Sequence, residues 1–127
     1  NNNNVLIDNS YEQIHCYDDT CLKEQFIICE PSYGNINNQI FTAYVEINGE
    51  TSNGKCEVYV RLDDLNSSAI PESYKMFTSF AVGSDMVCEV EDNEKNLLIE
   101  GKFDKNLISK CNGNLANILD MIAPYIE

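Results

Sequence analysis

The sequence predicts a disulfide-stapled α+β domain: a four-stranded antiparallel sheet made of two hairpins, with helices packed on one face. Three observations carry this. Six cysteines, Cys16, Cys21, Cys29, Cys56, Cys88 and Cys111, are even in number and spread along most of the 127 residues. Apolar and polar residues alternate with period two in the middle of the chain, which marks strands with one dry face. Helical spacing of apolar residues flanks these strands, and a sheet and helices of this kind bury each other's apolar sides.

Length and composition set the frame. A chain of 127 residues with 43% apolar content suits one globular domain. It divides into an Asn-rich N-terminal segment over residues 1–15 and a single disulfide-rich domain over 16–127. In the first, Val5-Leu6-Ile7 can form an edge strand. Asp18 then suits an N-cap, with Asp19 in the first turn where the helix dipole favours negative charge. Leu22, Phe26 and Cys29 fall at i, i+4 and i+7 of a helix over 19–29, which Pro31 ends. Cys21 and Cys29 sit near its buried side and face the sheet, not each other.

The clearest hairpin follows. Phe41, Ala43, Val45 and Ile47 alternate with Thr42, Tyr44 and Glu46. Beyond a loop carrying Asn48-Gly49 and Asn53-Gly54, Cys56, Val58, Val60 and Leu62 alternate with Glu57, Tyr59, Arg61 and Asp63. Pro71 can start a short helix through Tyr74, Phe77 and Phe80. Met86, Cys88 and Val90 alternate in a third strand, and an acidic turn over 92–96 leads to a fourth over 97–103. Asp104 caps a helical turn ending near Cys111, and Gly113 punctuates it. Leu115, Ile118, Leu119 and Ile122 form a terminal amphipathic helix up to Pro124.

The cysteines bound the compartment. There is no C-x-x-C, and His15 is the only histidine, so zinc-site spacing is absent and no metal ligand set is identified. Three bridges imply an oxidising setting, hence an extracellular or cell-surface protein. Six cysteines allow 15 connectivities. Cys16 and Cys21 either close a small loop together or anchor the helix start to other partners. Bridges from Cys21 or Cys29 to the inward-facing Cys56 or Cys88 are geometrically reasonable. His15-Cys16 is a poor nucleophile pair, because strand neighbours point to opposite faces and the cysteine is expected to be bridged.

The formal charge of −13 repels phosphate backbones and anionic surfaces, so no nucleic-acid partner is expected. No apolar run approaches the ~18 residues of a membrane span, so the mature domain is not expected to insert in a membrane. No catalytic residue and no cofactor is assigned. The candidate partner surface is Tyr44 and Tyr59 on the wet sheet face, since tyrosine is favoured at interfaces. Val5-Leu6-Ile7 adds a second candidate, by strand addition to another copy. Glu89 and Glu91 share a strand face and, with Asp92, are the candidate hard-cation (calcium) site, although no D-x-[DN]-x-[DN]-G loop is present. Asn66-Ser67-Ser68 is a sequon, usable if the source glycosylates exported proteins. The leading functional reading is an exported acidic interaction or structural module. The alternative is a small-ligand or calcium-binding module, and a carbohydrate-active enzyme comes third.

Three stretches together carry a resemblance. They are Cys16 to Cys29 followed by Pro31; Tyr44-Val45-Glu46-Ile47-Asn48-Gly49 leading into Gly54-Lys55-Cys56-Glu57-Val58-Tyr59; and Met86-Val87-Cys88 followed by Cys111-Asn112-Gly113-Asn114-Leu115. Over residues 16–125 the chain resembles small six-cysteine cell-surface or lipoprotein-like domains predicted from uncultured archaea and bacteria. Cys111-Asn112-Gly113 stands where Cys-Ser-Gly is expected. The resemblance implies an exported α+β module and transfers no catalytic residue.

Overall fold

The computed structural model describes residues 13–100 and 104–126, with the backbone alone at Tyr74 and over 122–126. Val5-Leu6-Ile7 and Phe103 lie outside the described residues. Among these residues the class is α+β, with one sheet of six strands in the order β1 to β6. The strands are β1 Ile14–Cys16, β2 Ser32–Asn37, β3 Phe41–Glu50, β4 Cys56–Leu65, β5 Asp85–Val90 and β6 Cys111–Asn112. The helices are α1 Asp19–Ile28, α2 Thr78–Ala81, α3 Lys95–Ile99, α4 Lys105–Ile108 and α5 Asn114–Ile126.

The sheet is mixed and has six strands, against the four antiparallel strands the sequence predicts. β1 runs parallel to β2, with Cys16 opposite Gly34, and α1 provides the crossover that a parallel pair needs. Every other pair is antiparallel. Gly34 is there because a Cβ would stand 2.5 Å from the Cys16 carbonyl oxygen. The predicted hairpin over residues 41–63 forms as β3 and β4, with Val45 opposite Val60 and Glu46 opposite Tyr59.

The second predicted hairpin does not form. β5 pairs with β4 on one side and β6 on the other; the expected acidic turn is a 3-10 turn, Asp92–Glu94, running into α3, and residues 97–99, the start of the expected fourth strand, lie in that helix. A capping box decides this. The Glu91 N–H donates to the Glu94 carboxylate at 3.0 Å, and the Glu91 side chain accepts from the backbone in return, which satisfies two orphan helix-start donors. Lys95 then donates to the Ile27 carbonyl at 2.8 Å, tying α3 to the end of α1.

Helix α1 begins as expected: Asp18 accepts the Cys21 N–H at 2.8 Å. Leu22 and Phe26 are its buried residues. It ends at Cys29, which takes a left-handed conformation with φ 56° while the Glu30 N–H returns to the Gln25 carbonyl. Glycine usually fills such a cap. Here the position serves the bridge to Cys56 on β4. The remaining bridges are Cys16–Cys21, which closes the small loop at the helix start, and Cys88–Cys111, which joins register partners on β5 and β6. One of the helix-to-sheet bridges judged reasonable from sequence is therefore present. Cys88 is held by a neighbouring strand instead.

Ala43, Val45 and Ile47 of β3, Cys56, Val58 and Leu62 of β4, and Met86, Cys88 and Val90 of β5 form the buried side of the sheet. α1 packs on β2 and α5 on β5, so the helices lie on this one face. Among the described residues no helix covers the opposite face.

Candidate functional site: an aromatic outer sheet face

The outward positions of β1 to β5 follow from the register. His15, Tyr33, Glu46, Tyr59 and Val87 lie in one row across the sheet, and Asn35, Tyr44, Arg61 and Asp85 lie in the next. The pleat brings these rows into contact. His15 stacks on Tyr33 with centroids 4.6 Å apart and 10° between planes, and Tyr17 lies 4.1 Å from His15. Tyr33 meets Tyr44 at 6.4 Å, and Tyr44 meets Tyr59 edge-on at 6.3 Å. The Arg61 guanidinium lies 4.8 Å from the Tyr44 ring centroid. These are the separations at which ring pairs and cation–π contacts attract. The array crosses four strands, about 15 Å at the usual interstrand spacing.

Carboxylates fix the tips of the rings. The Tyr59 hydroxyl donates to Asp85 at 2.8 Å and the Tyr44 hydroxyl to Glu46 at 3.3 Å. Arg61 is held by Asp63, Nε to Oδ1 at 2.6 Å. Burial, then the charge of Glu46, pushes the Tyr44 phenol above its ordinary value; at Tyr59 the hydrogen bond to Asp85 leads the same rise. Both phenols therefore stay protonated and act as donors at neutral pH.

Arg61 is the only Lys or Arg at the outward strand positions among the described residues, where Glu46, Glu57, Asp85 and Glu89 also project. Glu57 faces Glu89 directly across the β4–β5 ladder. Asn48 donates to Glu57 at 2.8 Å, and neither carboxylate makes an ion pair among the described residues. The face is thus a platform of rings with an acidic border.

Tyr44 and Tyr59 are brought together as the sequence suggests. His15, weighed from sequence only beside Cys16, joins them on this face, as do Tyr33 and Asp85. The available signal was the alternation of Tyr33 with Ser32 and Gly34, which is too polar to read as a strand. Of the proposed cation residues, Glu89 is on the outer face, Glu91 lies 3.7 Å from Lys110, and Asp92 pairs with Lys95 at 3.0 Å. Among the described residues no group of three His, Cys, Asp or Glu side chains is placed to hold a metal. Asn66 is exposed, caps a 3-10 turn, and donates to the Gln39 carbonyl at 3.0 Å. Cys16 is buried and bridged, and His15 points away from it into the ring array.

Comparison with protein-family models, curated proteins and solved structures finds no match to this chain, so the functional reading rests on its own geometry. All six cysteines are bonded, which fits an oxidising compartment. Among the described residues no helix is long and apolar enough to cross a membrane.

Proposed function

We propose that this chain is an exported interaction module, displayed outside the cell or at its surface, whose aromatic sheet face docks a basic protein partner. The observation that carries the reading is the continuous series of ring contacts from His15 through Tyr33 and Tyr44 to Tyr59. An exposed face needs no such series for solubility, and large pre-ordered rings give contact area at little entropic loss. The acidic border selects the partner's charge. Glu46, Glu57, Asp85 and Glu89 outnumber Arg61, so an Arg/Lys-bearing segment gains attraction and an acidic one is repelled.

The chain holds no tryptophan and seven tyrosines, so its intrinsic fluorescence is that of tyrosine, to which Tyr17, Tyr33, Tyr44 and Tyr59 of the site contribute. Titration with an extended Arg-rich decapeptide is expected to change tyrosine emission saturably, while an Asp-rich decapeptide does not. Tyr44→Ala and Tyr59→Ala should each weaken binding about tenfold or more, the usual loss at an aromatic hot spot, with the unfolding temperature as control for folding. Equal binding of both peptides, or amide shifts confined to the helical side, rejects the reading.

A further inference from the structure

On the other side of the sheet the helices leave a trough. α1 covers the β2 side and α5 the β5 side. Between them Phe41 and Val60, inward-facing residues of the two central strands, are only half-buried. The result is a cavity of about 760 Å³ bounded by Leu62, Phe77, Met86 and Leu115, within the size range of small-molecule sites. A second lobe of about 430 Å³ shares Ile40, Phe41, Ala43 and Val60 with it, so the space is elongated along the sheet.

Polarity differs between the two ends. In the large lobe the Thr78 hydroxyl is already engaged with the Lys75 carbonyl at 2.8 Å, and the walls are otherwise almost entirely carbon. A guest there must be apolar along its length, since a polar group would lose its water without gaining a partner. The small lobe opens at Asp19, Lys23, Asn38 and Glu100. The Lys23 ammonium and the Asp19 carboxylate stand together there, beside the Asn38 carboxamide, whose oxygen already accepts the Ile40 and Phe41 N–H groups; this suits a head group with donors and acceptors but no net charge. An anionic head is further disfavoured by the chain's −13.

We propose that this cavity binds a single-chain lipid with an uncharged polar head, its acyl chain lying along the inner sheet face and its head at the Lys23 mouth. The site is separate from the tyrosine face and does not depend on it.

Monolaurin tests this, with dodecanoate as the anionic comparator. Ile40→Trp, at the junction of the lobes, places a sole tryptophan reporter in the chain. Saturable one-to-one quenching or enhancement by monolaurin is expected, at least threefold tighter than with dodecanoate. Val60→Phe fills the junction and should weaken binding at least tenfold. In the unmodified protein, monolaurin must shift the amides of Leu62, Phe77 and Leu115 and leave Tyr44 and Tyr59 in place, which keeps the test independent of how any variant folds. Failure of monolaurin to saturate, equal affinity in Val60→Phe, or amide shifts confined to the tyrosine face overturns the site. Tighter binding of dodecanoate overturns the head-group assignment.

Discussion

Glu57 and Glu89 face one another on the outer side of the sheet, in an arrangement that stability alone does not favour. Like charges directly opposite on neighbouring strands are destabilising by up to about 1 kcal/mol. Glu89→Gln removes one charge at nearly constant volume. We expect it to raise the unfolding free energy by about 0.5 kcal/mol at low salt while weakening the Arg-rich peptide. Denaturant unfolding and peptide titration on the same sample check both signs. A variant that is more stable and binds undiminished would show that the carboxylate pair plays no part in docking.

At the scale of elements, the disulfides rank themselves by the length of chain they close. Cys16–Cys21 spans 5 residues, Cys88–Cys111 spans 23 and Cys29–Cys56 spans 27. Loop-closure entropy then gives about 2 kcal/mol for the first and about 3.5 kcal/mol for each of the others, a large share of the ~5–15 kcal/mol net stability of an ordinary domain. Paired alanine replacement should follow that order. Thermal unfolding of the Cys16/Cys21 variant is expected nearest the parent, with the two long-loop variants well below it. Equal losses would mean that packing around the sulfurs, not chain entropy, sets their contribution. What the sequence reveals and conceals also divides by element. The β3–β4 hairpin and the Asp18-capped α1 were legible because their signals are local: alternation in one case, a side-chain cap in the other. β1 and β6 were not, because strands of three and two residues exist only through the partners they pair with. β2 reads Ser32-Tyr33-Gly34-Asn35-Ile36-Asn37, half of them glycine or asparagine, which are depleted in strands, so the row that brings Tyr33 to the site was hidden. Leu97, Leu98 and Ile99 alone fit a buried strand. The capping box of Glu91 and Glu94 and the long-range bond from Lys95 to Ile27 make them a helix.

At the scale of the whole molecule, two electrostatic effects pull against each other as the pH falls. The net charge of −13 at neutrality makes the folded state repel itself, and acidification toward the sequence pI of 4.2 relieves this. Glu94 acts oppositely. It is 6% exposed, and burial alone would raise its pKa, yet the Glu91 N–H and the Lys110 ammonium at 2.8 Å hold it below the ordinary 4.5. A carboxyl whose pKa is lower folded than unfolded stabilises fully above the unfolded value, and that stability is lost as pH falls through the folded one. Lys110, raised above 10.5 mainly by its bond to Glu94, mirrors this: its contribution is complete below 10.5 and disappears as pH rises through the folded value. The unfolding temperature should therefore climb from neutrality to about pH 5 and drop steeply below about pH 4, with a second decline at strongly alkaline pH. Salt separates the two causes, because at 0.1 M the Debye length is about 10 Å and exposed charges are screened more than buried ones. Added sodium chloride should flatten the climb and leave the acid drop. Glu94→Gln should leave the climb and shrink the drop. Thermal unfolding from pH 3 to 11 at two salt concentrations resolves all three limbs, and an acid drop identical in parent and Glu94→Gln would move its origin from the Glu94–Lys110 pair to the remaining carboxylates.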